Sequence, residues 1–295
     1  MPTELLRRAP QRVSLALPMA GLVLAATALT ASAQSPSTVP TGSVSHPTGA
    51  LDIVLSMETG GGFVPFGYFI TQAPTFVLYG DNTVIFRPSE APEGQDLAPF
   101  VKATLSPAQV DALLTYALSV GRLADAAESY QDMTVSDAPT TVFTVDAAGI
   151  DKSVSVYALG IGQPSGRDAE MYAAFNDLGT LLSTFEQQVA KGNVISAETY
   201  QPETYRVVLS PADLTAQRII DWPWPDLSVN DFAPMADNPS FLLAGLTPEQ
   251  LSAITTVPSG GGLGVPVRSP DGSTAYLVQW RPLLPGETVQ PAARG

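Results

Sequence analysis

The 295-residue chain has no cysteine and a single histidine. The first absence excludes a disulfide framework, a thiol nucleophile, a zinc ribbon and an iron–sulfur cluster. The second leaves no His-rich metal site and no basis for a Ser-His-Asp triad. Positive charge is also scarce: 14 Lys+Arg stand against 28 Asp+Glu, for a formal charge of −14. Nucleic-acid binding depends on Lys and Arg neutralising phosphates, so that class is excluded. An acidic surface also repels anionic membranes. Lysine occurs only at Lys102, Lys152 and Lys191, and none stands in S-x-x-K spacing. Asp132, Asp137, Asp146 and Asp151 form no D-x-[DN]-x-[DN]-G calcium loop. No carboxylate pair stands out for glycoside hydrolysis. The expectation is a protein that is not an enzyme and has no catalytic residue, cofactor or metal.

Long apolar runs are missing too, with one exception near the N-terminus. Val13 to Leu29 is almost wholly apolar, Arg7, Arg8 and Arg12 precede it, and Ala31-Ser32-Ala33 follows. Basic flank, apolar stretch and A-x-A site together read as a secretory signal over residues 1–33. Its removal takes three Arg and one Glu and leaves the remainder more acidic still. The expected location is secreted, extracytoplasmic or in the cell envelope, with no membrane association after cleavage. Residues 34–48, QSPSTVPTGSVSHPT, read as a flexible Ser/Thr/Pro linker that includes His46.

Periodic structure starts near Leu51. LDIVLSM reads as a strand, ETGGGFVPFG from Glu58 to Gly67 as a loop, and Phe76 to Phe86 as a hairpin turning at Gly80-Asp81-Asn82. Ser106, Pro107 and Gln109 give a capping box with Pro at N1. The stripe Val110, Leu113, Leu114, Ala117 and Leu118 continues it as a helix ending at Gly121. Thr140–Val145 and Ser153–Tyr157 read as two strands around a turn at residues 147–149. A long helix is predicted from Arg167 to Lys191, closed by Gly192. Beyond it come strands at Tyr205–Leu209 and Ala275–Trp280 and a short helix at Thr247–Thr256. Strand pairs joined by turns, with helices between the groups, predict an α+β fold with antiparallel sheets. The predicted division is a lobe at 49–192, a smaller lobe at 193–287 and a loose tail at 288–295.

Three segments carry site-like chemistry. Gly160-Ile161-Gly162-Gln163-Pro164-Ser165 is an incomplete G-x-G-x-x-G without its third glycine, and a strand-to-helix turn explains it better than a nucleotide. Ser259-Gly260-Gly261-Gly262-Leu263-Gly264 lacks the Lys-Ser/Thr of a phosphate loop and reads as a hinge or surface loop. Trp222-Pro223-Trp224-Pro225 offers two indoles on a stiff segment. They serve either as core cover between lobes or as a stacking platform for a wall glycan.

Met57-Glu58-Thr59-Gly60-Gly61-Gly62-Phe63, then a hairpin, the Leu105-Ser106-Pro107 helix, Asp137, a strand pair and a closing helix follow one another over residues 51–190. This order resembles the emfourin-like inhibitors of thermolysin-type metalloproteases. The resemblance implies a macromolecule-binding role with an extracellular protein, such as a protease, as partner. It makes Gly60, Gly61, Gly62 and Phe63 the candidate binding loop. The family has Ser-Gly-Gly where this chain has Thr-Gly-Gly-Gly, and it lacks the second half. The whole chain, with its Arg281-Pro282-Leu283-Leu284-Pro285-Gly286-Glu287 ending, is also similar to uncharacterised exported proteins of actinobacteria, which implies a location only. The alternative function is a carbohydrate- or cell-wall-binding module that uses Trp222 and Trp224.

Overall fold

Alternating side chains along the strands build two sheets, each with an apolar layer on both faces. The computed structural model describes residues 43–64, 66–93, 98–132, 134–162, 164–213, 219–255 and 264–291. The predicted signal at 1–33 and most of the glycine run at 259–264 lie outside the described residues, and residues 42–295 form one compact unit. The fold is α+β, with five helices and two antiparallel-rich sheets among the described residues.

The first sheet has eight strands: β1 (Ile53–Gly61), β2 (Phe76–Tyr79), β3 (Thr83–Phe86), β4 (Val101–Thr104), β5 (Ser129–Tyr130), β6 (Pro139–Ala147), β7 (Ile150–Tyr157) and β8 (Ser196–Thr199). Their order is β5-β7-β6-β1-β2-β3-β4-β8, antiparallel throughout except for β5 beside β7. Phe76 and Leu78 of β2, and Val84 and Phe86 of β3, point to one face. There they meet α2 (Pro107–Ser119), α3 (Arg167–Ser183) and Phe185 at the start of α4 (Glu186–Ala190). Val77, Tyr79 and Ile85 point to the opposite face and are covered by Phe100 and Leu284. The period of two thus places neighbouring residues of one strand in different cores.

The second sheet has the order β10-β11-β9-β13-β12. Its strands are β9 (Tyr205–Ala212), β10 (Ala233–Pro234), β11 (Leu242–Leu246), β12 (Val265–Arg268) and β13 (Ala275–Pro282). Val207, Leu209 and Val278 pack with Trp224, Phe232 and α5 (Pro248–Thr255) on one face. Val208 and Leu243 meet Ile70 of α1 (Phe66–Ile70) on the other.

Several expectations change. Residues 43–48, predicted as the end of a flexible linker, are tied to the fold. Val44 N–H donates to Asp111 Oδ1 at 2.9 Å, and Ser45 O accepts from Ala148 N–H at 2.7 Å. At the hairpin turn only Asn82 takes positive φ. Gly80 serves close approach instead, because a Cβ there would lie 2.5 Å from Pro47 O. Gly121 does not close α2 with a left-handed residue. Arg122 takes φ 58°, while Gly121 leaves room for Leu178 Cδ2. The single helix 167–191 is two helices. Thr184 donates its hydroxyl back to Thr180 O at 2.7 Å, the chain breaks there, and Phe185 swings in edge-on to Phe76 and Phe86. β8 lies beyond Gly192 yet completes the first sheet beside β4, and residues 288–290 of the expected tail bind Arg206 and Pro234.

Candidate functional site

The predicted binding loop is a strand end. Gly60 and Gly61 belong to β1, opposite Thr140 and Pro139 of β6. Gly60 admits the Gln72 side chain, whose Oε1 lies 2.6 Å from where a Cβ would stand. Gly61 and Gly62 take φ of 94° and 81°, which L side chains avoid, and these turn the chain out of the sheet. Val64 N–H returns to Gly62 O at 3.1 Å. Phe63, between them, is 95% exposed.

Two neighbouring loops share this end of the sheet. Asp137 and Ala158 both take φ 56°, uncommon for residues with a Cβ. Tyr157 holds the first loop: its hydroxyl donates to Val135 O and accepts from Ala138 N–H. Ala158 N–H donates to Pro139 O at 2.9 Å, and Ile161 and Gly162 both donate back to Ala158 O. Ile161 is more than half exposed. The described part of the incomplete glycine motif, Gly160–Gly162, therefore lies in a tight turn after β7, and Gly162 leaves room for the Asp132 carboxylate. The rim unites Phe63, the turn at Asp137 and the turn at Ala158–Gly162 on backbone that is already set.

The Trp-Pro-Trp segment is arranged differently. Trp224 is 3% exposed and belongs to the core of the second sheet. Its Nε1–H donates to Gln250 O, and Trp222 Nε1–H donates to Leu227 O. The two indoles meet edge to face at 77°, with Phe232 against both. They do not form a flat double platform, and only half-buried Trp222 retains a face toward solvent. The four acids weighed as a calcium site are split. Asp146 and Asp151 oppose each other at the β6–β7 turn, while Asp132 and Asp137 lie at the other end of the strands. Among the described residues no three His, Cys, Asp or Glu converge for a metal. Lys152 is engaged by the carbonyls of Ala124 and Ala126.

A further feature was given no role by the sequence motifs, although Glu58, Arg281 and Glu287 stand in two of them. A cleft of about 750 Å³ opens where α1, β9 and the C-terminal segment meet. Its wall contains two buried arginines, Arg206 of β9 and Arg281 of β13, which are register partners across the strands. Like charges in that position repel. Each finds its own oxygens, although Arg281 Nε is left without a partner. Arg281 forms a two-pronged pair with Glu287, at 2.6 and 2.9 Å. Arg206 donates to three carbonyls, those of Ile70, Thr288 and Val289. Burial, then the neighbouring Arg281, lowers the Arg206 pKa to about 10, with Glu287 and Glu58 opposing. Glu58, Gln72, Asp237 and Asn238 also line the cleft. The available signal was parity: Arg206 alternates with buried Val207 and pairs its side with Val208 inside a strand, where an exposed Arg is not expected.

No known family model, curated protein or solved structure matches this chain. The functional reading therefore rests on residues and their geometry.

Proposed function

We propose that this is an exported, non-catalytic protein that binds another macromolecule, most directly a protein, by inserting Phe63 into the partner's cleft. Export rests on the basic, apolar and A-x-A pattern of residues 1–33. One observation carries the binding reading. A large aromatic stands 95% exposed on a support of two positive-φ glycines anchored to β6. An exposed Phe is unfavourable in isolation, and a preset loop presents it without ordering cost on association. The cleft of an extracellular protease is a fitting receptor, in line with the resemblance to emfourin-like inhibitors. Trp222 and Trp224 border an open depression with Asp226 and Asp231, but the indoles meet edge to face instead of forming a platform for a glycan.

The test is a titration of residues 34–295 against a thermolysin-type metalloprotease with a fluorogenic peptide, beside capture from the producer's secreted proteins. The expected result is saturable inhibition or retention of a protein partner that Phe63→Ala weakens more than about tenfold, a loss typical of a central aromatic anchor. Equal retention by Phe63→Ala and the unaltered protein would remove this site.

A further inference from the structure

From the cleft beside Arg206 and Arg281 we infer a second binding site, for a neutral mono- or disaccharide. Its volume of about 750 Å³ lies within the range of small-molecule pockets. The ligand class follows from which hydrogen-bonding groups are still free. Arg206 serves three carbonyls, and the terminal nitrogens of Arg281 serve Glu287 and Pro282 O, while Arg281 Nε–H is buried without a partner. An anionic ligand therefore finds a single N–H of a guanidinium already paired with a carboxylate. Glu58 and Asp237 line the same cleft, and neither carboxylate is hydrogen-bonded to a described residue. Asn238 Oδ1 accepts from Ser240 N–H, which leaves its amide N–H₂ open. The free set is thus carboxylate and amide acceptors, with the Asn238 amide and the Arg281 Nε–H as donors beside them.

Hydroxyl groups match that set, because each donates one hydrogen bond and accepts others. A cationic amine matches it less well. Glu58 already offsets the Arg206 charge, so the cleft does not present its acids as an uncompensated pair. Phe69, Ile70 and Met235 supply an apolar wall for the C–H face of a sugar ring. Two buried amide oxygens in the wall, Gln72 Oε1 and Gln290 Oε1, have no partner. Gln290 Nε2 donates to Pro234 O at 3.2 Å, which tells its nitrogen from its oxygen. Buried acceptors without partners are rare and destabilising. The terminal torsion of a Gln side chain is soft, and a small rotation turns the oxygen toward a ligand hydroxyl or a bridging water. Phe63, Trp222 and Trp224 do not line the site, which adjoins β1 through Glu58 and through Gln72 against Gly60.

The experiment titrates residues 34–295 with glucose, N-acetylglucosamine, maltose and cellobiose, and with spermidine and inorganic phosphate as other chemistries. Thermal unfolding and calorimetry are the readouts. The expected result is a saturable rise in Tm with at least one sugar. Asp237→Asn, on an exposed turn, and Glu58→Gln should each weaken that sugar about tenfold, as loss of a charged hydrogen-bond acceptor does. Phe63→Ala and Trp222→Ala should leave its affinity unchanged. Absence of a saturable shift with every sugar, a shift with spermidine or phosphate alone, or full affinity in both acid variants would overturn the inference. Loss of affinity in Trp222→Ala would do so as well. Because Phe63→Ala is neutral here, failure of this site and failure of the rim are read separately.

Discussion

Two arginines facing each other across β9 and β13 are tolerated because each finds its own oxygens. The Arg281 side chain is 5% exposed and Glu287 is 25% exposed, so their fork is largely withdrawn from water. Removing one partner of such a pair strands the other charge. Glu287→Ala should therefore destabilise the protein by about 3 kcal/mol in urea unfolding, and Arg281→Met on that background should recover part of the loss. Equal stability of Glu287→Ala and the parent would show the fork to be inert. Burial, then Glu287, raises the Tyr79 and Tyr200 pKa values, the latter to about 12. Unfolded tyrosine loses its proton near pH 10. Above that point the folded state keeps protons that the unfolded state has released. Stability is thus fully present below about pH 10 and declines as pH rises toward 12. Arg206 acts in the opposite sense over part of that window, since the unfolded state then holds the extra proton. The urea midpoint should fall from pH 10 to 12, and Tyr79→Phe with Tyr200→Phe should flatten the slope. An identical slope in that double variant would assign the alkaline loss elsewhere.

At the scale of elements, local chemistry decided which parts were readable. The α2 start was legible because the capping box needs only four residues: Ser106 N–H and hydroxyl both reach Gln109 Oε1, and Gln109 N–H returns to Ser106 Oγ. Ser106→Ala should cost about 1 kcal/mol by denaturant titration. The β6–β7 turn was legible for a similar reason, with Ala148 and Gly149 both at positive φ as a two-residue hairpin requires. The break between α3 and α4 was not. Leu182, Phe185 and Val189 keep the helical apolar spacing straight through it, while the interruption comes from Thr184 back-bonding and from the Phe76–Phe86 slot that Phe185 fills. Phe185→Ala should cost about 3–5 kcal/mol, the loss expected for a buried aromatic; a loss below 1 kcal/mol would mean the slot collapses. β8 was hidden because Ser196, Ala197, Glu198 and Thr199 are all exposed and carry no alternation. β12 is four residues long and contains Pro266. The glycines before Phe63 signalled a turn, but not that β1 runs through Glu58 to Gly61 or that α1 starts at Phe66. The cleft was not legible, because its residues are far apart in sequence and only the pairing of β9 with β13 and the return of the C-terminal segment unite them.

At the scale of the molecule, the segment after β13 links the two sheets. Leu283 N–H donates to Thr204 O, Tyr200 donates to Leu283 O, and Leu284 fills the outer face of the first sheet. Thr288 and Val289 then accept from Arg206 of the second sheet. The chain has three tryptophans, and Trp222, Trp224 and Trp280 all belong to the second sheet's core. Tryptophan fluorescence therefore reports that sheet, while far-ultraviolet circular dichroism weights α2 and α3. The two signals should lose structure at one denaturant concentration, and Leu284→Ala should shift both by the same amount, for a loss of about 2–5 kcal/mol. Separate midpoints would show that the sheets unfold independently. The placement of Leu284 also sets an order in time. Tyr79 and Pro285, joined by a hydrogen bond, are 206 residues apart, so a chain made from its N-terminus has only Phe100 to cover Val77, Tyr79 and Ile85 until Leu284 has been made. That strand face then resembles an adhesive patch on an incomplete polypeptide, and a nascent chain stalled before Leu284 is the form most in need of a chaperone.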